Sequence, residues 1–432
     1  GNRLMAATTW LFMAISAFMF ALTCFLFVSL LGSVDMLMEK AQTPDFLQMH
    51  SGEIVETELL RFAEENEQVQ DYQVLNFLNL ENSSMTLNGH SLTDSTQDNG
   101  VCVQSGSFDY LLDLENKMIQ LSDGEIYVPV CYRQEYDLTV GETVQIGENS
   151  FILAGFLRDS QMNSMMASSK RFLVSESDYE KLKEAGSEEY LIEFLLMEGT
   201  DVNAFATKYA DAGLPSNGPA ITKPLIRMMN ALSDGLMILV ILLVSIVLLL
   251  ISMLCIRFTL LTQLEADRKE IGMLKAIGIS KGDIRQLYNQ KFLALSGLGA
   301  VTGFLLALVA KGTISAQIQE LYGASENGLL EFLTAFVGVV LTEGILLFSV
   351  GKTLRRTEKL SAVEALSGQH WEQKNEKRHL FSPQYLIVVL VIGLGIFMMI
   401  LPQNLLSTIS SPQFVTYMGI GDGEIRMDIR QS

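Results

Sequence analysis

Five stretches of this 432-residue chain are apolar for long enough, or nearly so, to cross a bilayer. Crossing ~30 Å of hydrocarbon takes about 20 helical residues. The first stretch lies between Arg3 and Asp35 and holds no charge among its 31 residues. The second runs from Gly235 to Ile256, the third from Phe292 to Ala310, and the fourth from Phe332 to Val350. The fifth runs from Tyr385 to Leu401, between Pro383 and Pro402. At ~1.5 Å per residue the first is longer than the hydrocarbon is thick. It is also too long for a signal-peptide core and has no small-residue cleavage pattern near its end, so it reads as a permanent span.

Between the first two stretches the pattern switches from uniform to alternating. "GEIVETELLRFAEENEQV" (52–69) places Ile54, Leu59, Leu60 and Phe62 as an amphipathic helix would. "EIYVPVCY" (125–132) alternates as a strand does, and "GETVQIGENSFILAGFL" (141–157) reads as two strands joined at Gly-Glu-Asn. A strand at "RFLVS", a helix at "SDYEKLKEAG", a strand at "EYLIEFLLM" and a helix at "VNAFATKYADAG" follow. Ser91–Gly100 and Leu214–Gly218 read as loops. This segment is long enough to bury its own core. The expected fold is a membrane protein with five transmembrane α-helices and an inserted extracytoplasmic α+β domain.

The boundaries follow from these patterns. The first span and its extension occupy 1–40, the α+β domain 41–222, and a second stalk and span 223–262. An amphipathic cytoplasmic segment covers 263–290, the third and fourth spans 291–351, and a cytoplasmic loop 352–384. The fifth span covers 385–401, and 402–432 reads as the start of a second external domain. The approach to the second span, "PLIRMMNALSDG", begins as a helix outside the membrane, so with the overlong first span it forms a two-helix stalk. Both ends of the sequence read as cut, with a second external domain expected after residue 432.

Charge orients this layout. Residues 257–291 and 352–378 each carry seven Lys or Arg, whereas 311–331 has one lysine against three glutamates. By the positive-inside rule the N-terminus and the first two of these lie in the cytoplasm, and 33–225 lies outside a plasma or inner membrane. Residues 33–225 have a net charge of −22, and the rest of the chain sums to +3. So acidic a segment excludes nucleic acid and anionic lipid surfaces as its ligands.

The cytoplasmic segment "EADRKEIGMLKAIGIS" (265–280) carries the candidate chemistry. Ile271, Leu274 and Ile277 recur at helical spacing, with Arg268, Lys269 and Lys275 on other sides. Gly278 stops the helix and "SKGDIRQLYNQ" restarts one. The pattern alone allows either a helix docked in a partner's groove or one lying on the inner leaflet.

"DRKEIGMLKAIGISKGDIRQLY" resembles the motif of the FtsX/MacB-like permeases, the mechanotransmission and exporter type of ABC transporter subunit. "LSAVEALSG" (360–368) resembles the family's stretch after its fourth helix, although Ala362 stands where proline is common and Ser367 where a basic residue is usual. "GETVQIGENSFILAGFLRD" is similar to the family's extracytoplasmic core domain. The resemblance implies a coupling helix at Arg268, Glu270, Ile271, Gly272, Leu274, Lys275, Ala276, Ile277 and Gly278, which docks on a dimer of cytoplasmic ABC ATP-binding subunits. It implies a non-catalytic permease with no cofactor of its own, since ATP binds the partner. A second permease unit, in the same chain or another subunit, and membrane lipid complete the expected partners. The alternative is a membrane-anchored sensor without ATP coupling.

The remaining features are weaker. "GKT" at Gly351–Thr353 is not a phosphate loop, because Leu346 stands where that pattern needs glycine. His50, His90, His370 and His379 are scattered and form no triad or metal set. Glu343 is an ionisable group inside the fourth span, either functional or hydrogen-bonded at a helix contact. Ser296, Gly299 and Gly303 place small residues on one side of the third span for close helix packing. Cys102 and Cys131 are a candidate disulfide pair in an oxidising compartment, or two buried thiols.

Overall fold

The computed structural model describes residues 2–164, 167–357 and Gly393. Apart from Gly393, the fifth apolar stretch, the 360–368 motif and the C-terminal segment lie outside the described residues. Among the described residues, four helices are long and apolar enough to span a membrane: Arg3–Ala41, Asp234–Ala266, Lys281–Tyr322 and Gly328–Arg355. In hydrocarbon a backbone must satisfy its own hydrogen bonds, and an uninterrupted helix does so within one segment.

In chain order the elements are α1 (Asn2–Ala41), β1 (Phe46–Ser51), α2 (Glu56–Glu65), β2 (Val69–Leu80), β3 (Met85–Leu87), β4 (His90–Ser91) and β5 (Asp98–Cys102). Then come β6 (Glu125–Pro129), α3 (Cys131–Glu135), β7 (Thr143–Ile146), β8 (Asn149–Leu157), β9 (Ser169–Leu173), α4 (Glu176–Leu182), β10 (Gly186–Leu196) and α5 (Val202–Asp211). β11 (Ala220–Thr222), α6 (Lys223–Ala266), α7 (Arg268–Ala276), α8 (Lys281–Tyr322) and α9 (Gly328–Thr357) complete the series. They divide into two units. A sheet unit holds Phe25–Ile238 and Ala310–Leu333, and a helical unit holds the described residues up to Cys24, Leu239–Val309 and the described residues from Thr334 on.

The sheet unit is built on eleven strands in the order β11-β1-β10-β2-β5-β9-β6-β8-β7-β3-β4. Most neighbours are antiparallel, but β5 with β9 and β6 with β8 are parallel. β2 pairs with β10 along its whole length, from Val69 opposite Leu196 to Leu80 opposite Gly186. On one face α2 and α5 bury Leu59, Phe205 and Tyr209 against Phe46, Ile192 and Phe194. A second core gathers Leu78, Val101, Val128, Phe172 and Tyr132. The parallel strand pairs sit toward the middle of the sheet, and the pair of β5 with β9 has both faces covered. β9 is accordingly buried at all five residues.

The 141–157 hairpin, the two helices at α4 and α5 and the strand at β10 occupy the stretches read for them. Elsewhere tertiary pairing overrides the local reading. "EIYVPVCY" is strand only to Pro129 and turns helical at Cys131. Ser91–Gly100 is not all loop: His90–Ser91 pairs with β3, and Asp98 opens β5 beside Ser169. The third membrane helix does not stop near Ala310. α8 runs on to Tyr322 because Ser315, Ile318 and Tyr322 bury a stripe at helical spacing.

Candidate functional site

In the helical unit, α7 is a short helix held at both ends. Gly278 has φ +96°, the left-handed conformation that ends a helix most easily with glycine. The Ile279 N–H donates to the Leu274 carbonyl at 3.1 Å and the Gly278 N–H to Lys275 at 3.2 Å. That pair of bonds is a Schellman stop. Ser280 then caps α8: its Oγ accepts from the Asp283 N–H at 3.2 Å and donates to the Asp283 carboxylate at 2.6 Å. At the other end, the Tyr288 hydroxyl of α8 donates to Asp267 at 2.8 Å, just before α7 begins.

These restraints separate the residues of the motif. Ile271 packs inward with Leu264 and Ile284 against a core of Met13, Ile256, Leu260 and Phe292. Gly272 is buried, and Arg268, Leu274 and Lys275 are half-buried. Glu270, Ala276 and Gly278 are exposed. The large apolar side chains facing outward are Met273 at 56% exposure, Ile277 at 76% and Ile279 at 36%. Of the three apolar residues read from spacing, only Ile277 therefore faces outward. The helix has to bury one edge in its own bundle, so Ile271 serves the bundle. Periodicity cannot say which edge that is, and so it missed Met273 and Ile279.

α1 runs through the middle of the helical unit. On α8, a Cβ at Gly299 would come within 2.7 Å of the Met13 Cβ, and one at Gly303 within 2.7 Å of both the Ala17 Cβ and the Phe18 nitrogen. Toward α6, Ser16 donates to Ser252 at 2.8 Å and Thr23 meets Ser245 at 3.2 Å, two hydroxyl contacts seven residues apart on each helix. Ser296 faces a third neighbour: its hydroxyl donates to the Glu343 carboxylate of α9 at 2.6 Å. The other Glu343 oxygen has no hydrogen-bond partner among the described residues.

The sheet unit buries a cluster of charge. Arg171 on β9 reaches both oxygens of Asp159 at 2.6 Å and Asp109 at 2.5 Å. All three side chains are 3% exposed or less. Burial opposes the charge on Arg171, but the two carboxylates outweigh it and hold the guanidinium above its ordinary range. Burial also pushes Asp159 up, yet Arg171 and the backbone N–H groups of Met162 and Gln161 leave it below the usual carboxylate range. Next to this cluster, Glu193 on β10 accepts from Gln73 at 2.8 Å and from Gln161 at 2.6 Å. Burial, aided by the Asp109 charge and opposed by Arg171, raises its carboxyl well above the ordinary value.

A raised folded pKa means that Glu193 binds its proton more tightly in the folded state. Its contribution to stability is full below the unfolded value of about 4.3 and declines as pH rises toward the raised folded value. Glu193→Gln should remove that slope, because the Gln161 Oε1, which has no hydrogen-bond partner among the described residues, can turn to meet the new amide. Denaturation midpoints between pH 4.5 and 8 should show the variant gaining on wild type as pH rises. Parallel profiles would mean that Glu193 is ionised in the fold.

The candidate disulfide is not formed, and both cysteines are free thiols. Cys102 ends β5 and faces Leu111, Ile119, Leu157 and Leu173, while Cys131 packs on the core across the sheet. Burial pushes the Cys102 thiol up to about 12 and that of Cys131 to about 11, which disfavours the reactive thiolate at both.

Comparison with known proteins places the helical part. Residues 242–362 match the family model described as FtsX-like permease C-terminal, a span that takes in the second half of α6 and all of α7, α8 and α9. Over that segment the chain is similar to the FtsX-like permeases. The crystal structure of the periplasmic region of MacB from Actinobacillus actinomycetemcomitans aligns with 44% of this chain and 94% of that chain. Their identity is 9% and the TM-score 0.26. No curated protein matches the sequence.

Proposed function

We propose that this chain is the permease subunit of an ABC transporter and couples ATP hydrolysis by a separate cytoplasmic ATPase dimer to movement of an extracytoplasmic sheet domain. The observation that carries this reading is α7. Within the family segment, a helix pinned by a Schellman stop, a serine cap and the Tyr288–Asp267 bond presents Met273, Ala276, Ile277 and Ile279 outward. Apolar side chains on a rigid base suit a groove in a protein partner. The seven basic residues of 257–291 put this surface in the cytoplasm, where the ATPase is. The same rule puts the acidic sheet domain outside the cell or inner membrane. The output is export or extraction of a peptide, lipid-like or hydrophobic substrate, or mechanical signalling, with a second permease unit completing the transporter.

Copurification of the full-length protein with its ATPase tests the reading. Met273→Asp plus Ile277→Asp should abolish the complex, because burying two carboxylates without partners costs several kcal/mol, roughly 2–7 for even a neutral polar group. Both positions are exposed, so the permease itself should stay folded. Undiminished capture and ATPase stimulation would reject α7 as the docking surface. If the wild type also captured no ATPase, the sensor reading would take its place.

A further inference from the structure

Buried polar groups need hydrogen-bond partners, and the segment Arg158–Ser164 is buried at every residue although six of its seven side chains are polar or charged. Several of its partners lie on helices. In the sheet unit, Arg158 donates from Nε to the Glu320 carbonyl at 3.0 Å and from Nη2 to that of Gln319 at 2.7 Å. Asn163 donates to the Leu321 carbonyl at 2.7 Å. These lie in the last turn of α8, where a helix leaves carbonyls unsatisfied and carries its negative dipole end, and that of Gln319 also accepts the Gly323 N–H at 2.9 Å. Arg133 and Gln134 hold the Glu320 carboxylate at 3.0 and 2.6 Å.

The same segment grips the other two helices. Ser164 donates to the Met229 carbonyl of α6 at 3.0 Å, and Asn230 of α6 donates to the Ser160 carbonyl at 2.7 Å. Thr43, just past α1, donates to the Ser160 hydroxyl at 2.6 Å. Lys170 braces the segment from inside, donating to the Met162 and Ser164 carbonyls at 2.7 and 2.6 Å.

We propose that Arg158 is a positioning residue that fastens the end of α8 to the sheet domain, so that α8 carries motion from the α7 surface directly to that domain beside α1 and α6. This rests on the coupling function proposed above. Only four residues separate the end of α7 from the start of α8. It is one uninterrupted helix of 42 residues, so it extends ~63 Å at 1.5 Å per residue. A guanidinium suits the far end because it stays charged and its planar fork meets two carbonyls at once. Its remaining bonds, from Nη1 to the Leu114 carbonyl at 2.9 Å and to Asn116 at 2.7 Å, are to the sheet domain. One side chain therefore bridges domain and helix.

The test uses the full chain with its copurified ATPase in nanodiscs, comparing hydrogen exchange in the nucleotide-free and vanadate-trapped states. In the wild type, trapping should change exchange in 157–164 and 311–323. In Arg158→Ala the ATPase should still copurify, but the nucleotide-dependent change in 157–164 should shrink at least about fivefold, the factor for losing about one net hydrogen bond. A purely structural role would shift exchange equally in both states and leave the difference intact. Gly323→Val provides a second variant should Arg158→Ala misfold. Gly323 has φ +92° and its Cβ would fall 2.5 Å from the Asn116 amide, so the change unseats the end of α8 from outside the core. A full nucleotide response in either folded variant overturns the proposal, because α1 and α6 would then suffice. A wild type that binds its ATPase yet shows no response in the sheet domain defeats the coupling reading, and this inference with it.

Discussion

Arg171→Ala is expected to unfold the sheet domain at temperatures where the wild type is native. Its guanidinium is 2% exposed and answers two carboxylates that are no more exposed than 3%. Removing it leaves Asp109 and Asp159 buried and charged side by side. Breaking a buried pair from one side costs about 3–5 kcal/mol. A domain is stable by only about 5–15 kcal/mol in total. The loss is thus about a fifth of the reserve at least, and up to all of it. Arg133→Ala provides the comparison, because the Arg133–Glu320 pair is 44% and 23% exposed. Water screens such a pair, and its loss should stay below about 1 kcal/mol. Urea denaturation of the full chain in detergent, followed through the sheet-domain transition, separates the two. Equal shifts for Arg171→Ala and Arg133→Ala would mean that the Arg171 cluster is hydrated.

Gly303→Val should disrupt the helical unit without touching the sheet. The new Cβ would overlap the Ala14 carbonyl oxygen and lie 2.7 Å from the Ala17 Cβ and the Phe18 nitrogen. Two of these three atoms belong to the α1 backbone, which cannot rotate away as a side chain tip would. Overpacking a tight contact costs about 1–3 kcal/mol, and the two further methyl groups of valine add to it. Gly297 lies on the same helix and its Cβ would meet nothing within 4 Å. Gly297→Ala should therefore be neutral or gain up to about 1 kcal/mol from helix propensity. The thermal midpoint for loss of a monodisperse peak in detergent measures both. A Gly303→Val protein as stable as Gly297→Ala would show that α1 and α8 are not in contact.

The legible and illegible parts of the fold differ in how far apart the deciding residues lie. Gly278 as a stop and Ser280 as the next start are local events, read within a few residues of each other. The β7–β8 hairpin turns on Gly147, again a local matter. β2 was invisible because "VQDYQVLNFLNL" alternates poorly: its first half is largely exposed or half-buried, and its buried residues cluster at Phe77, Leu78 and Leu80. What makes it a strand is its pairing with β10, more than a hundred residues away in sequence. The α7 surface was half legible. Helical spacing located the helix and Ile277, but the choice between Ile271 and Met273 as the outward residue depends on where Leu264 and Ile284 lie.

By itself the sequence determined the membrane helices, the amphipathic helix between two of them and the distribution of charge. Each follows from a rule acting on neighbours: an apolar run in hydrocarbon must close its own hydrogen bonds, and glycine accepts a left-handed turn. Only the tertiary structure decided that Arg171 faces two aspartates, that Arg158 caps α8 and that the Arg158–Ser164 segment is buried. A polar residue in a loop carries no local mark of burial. Its partners come from strands and helices brought together by the sheet, and the low dielectric they create makes those few contacts decisive.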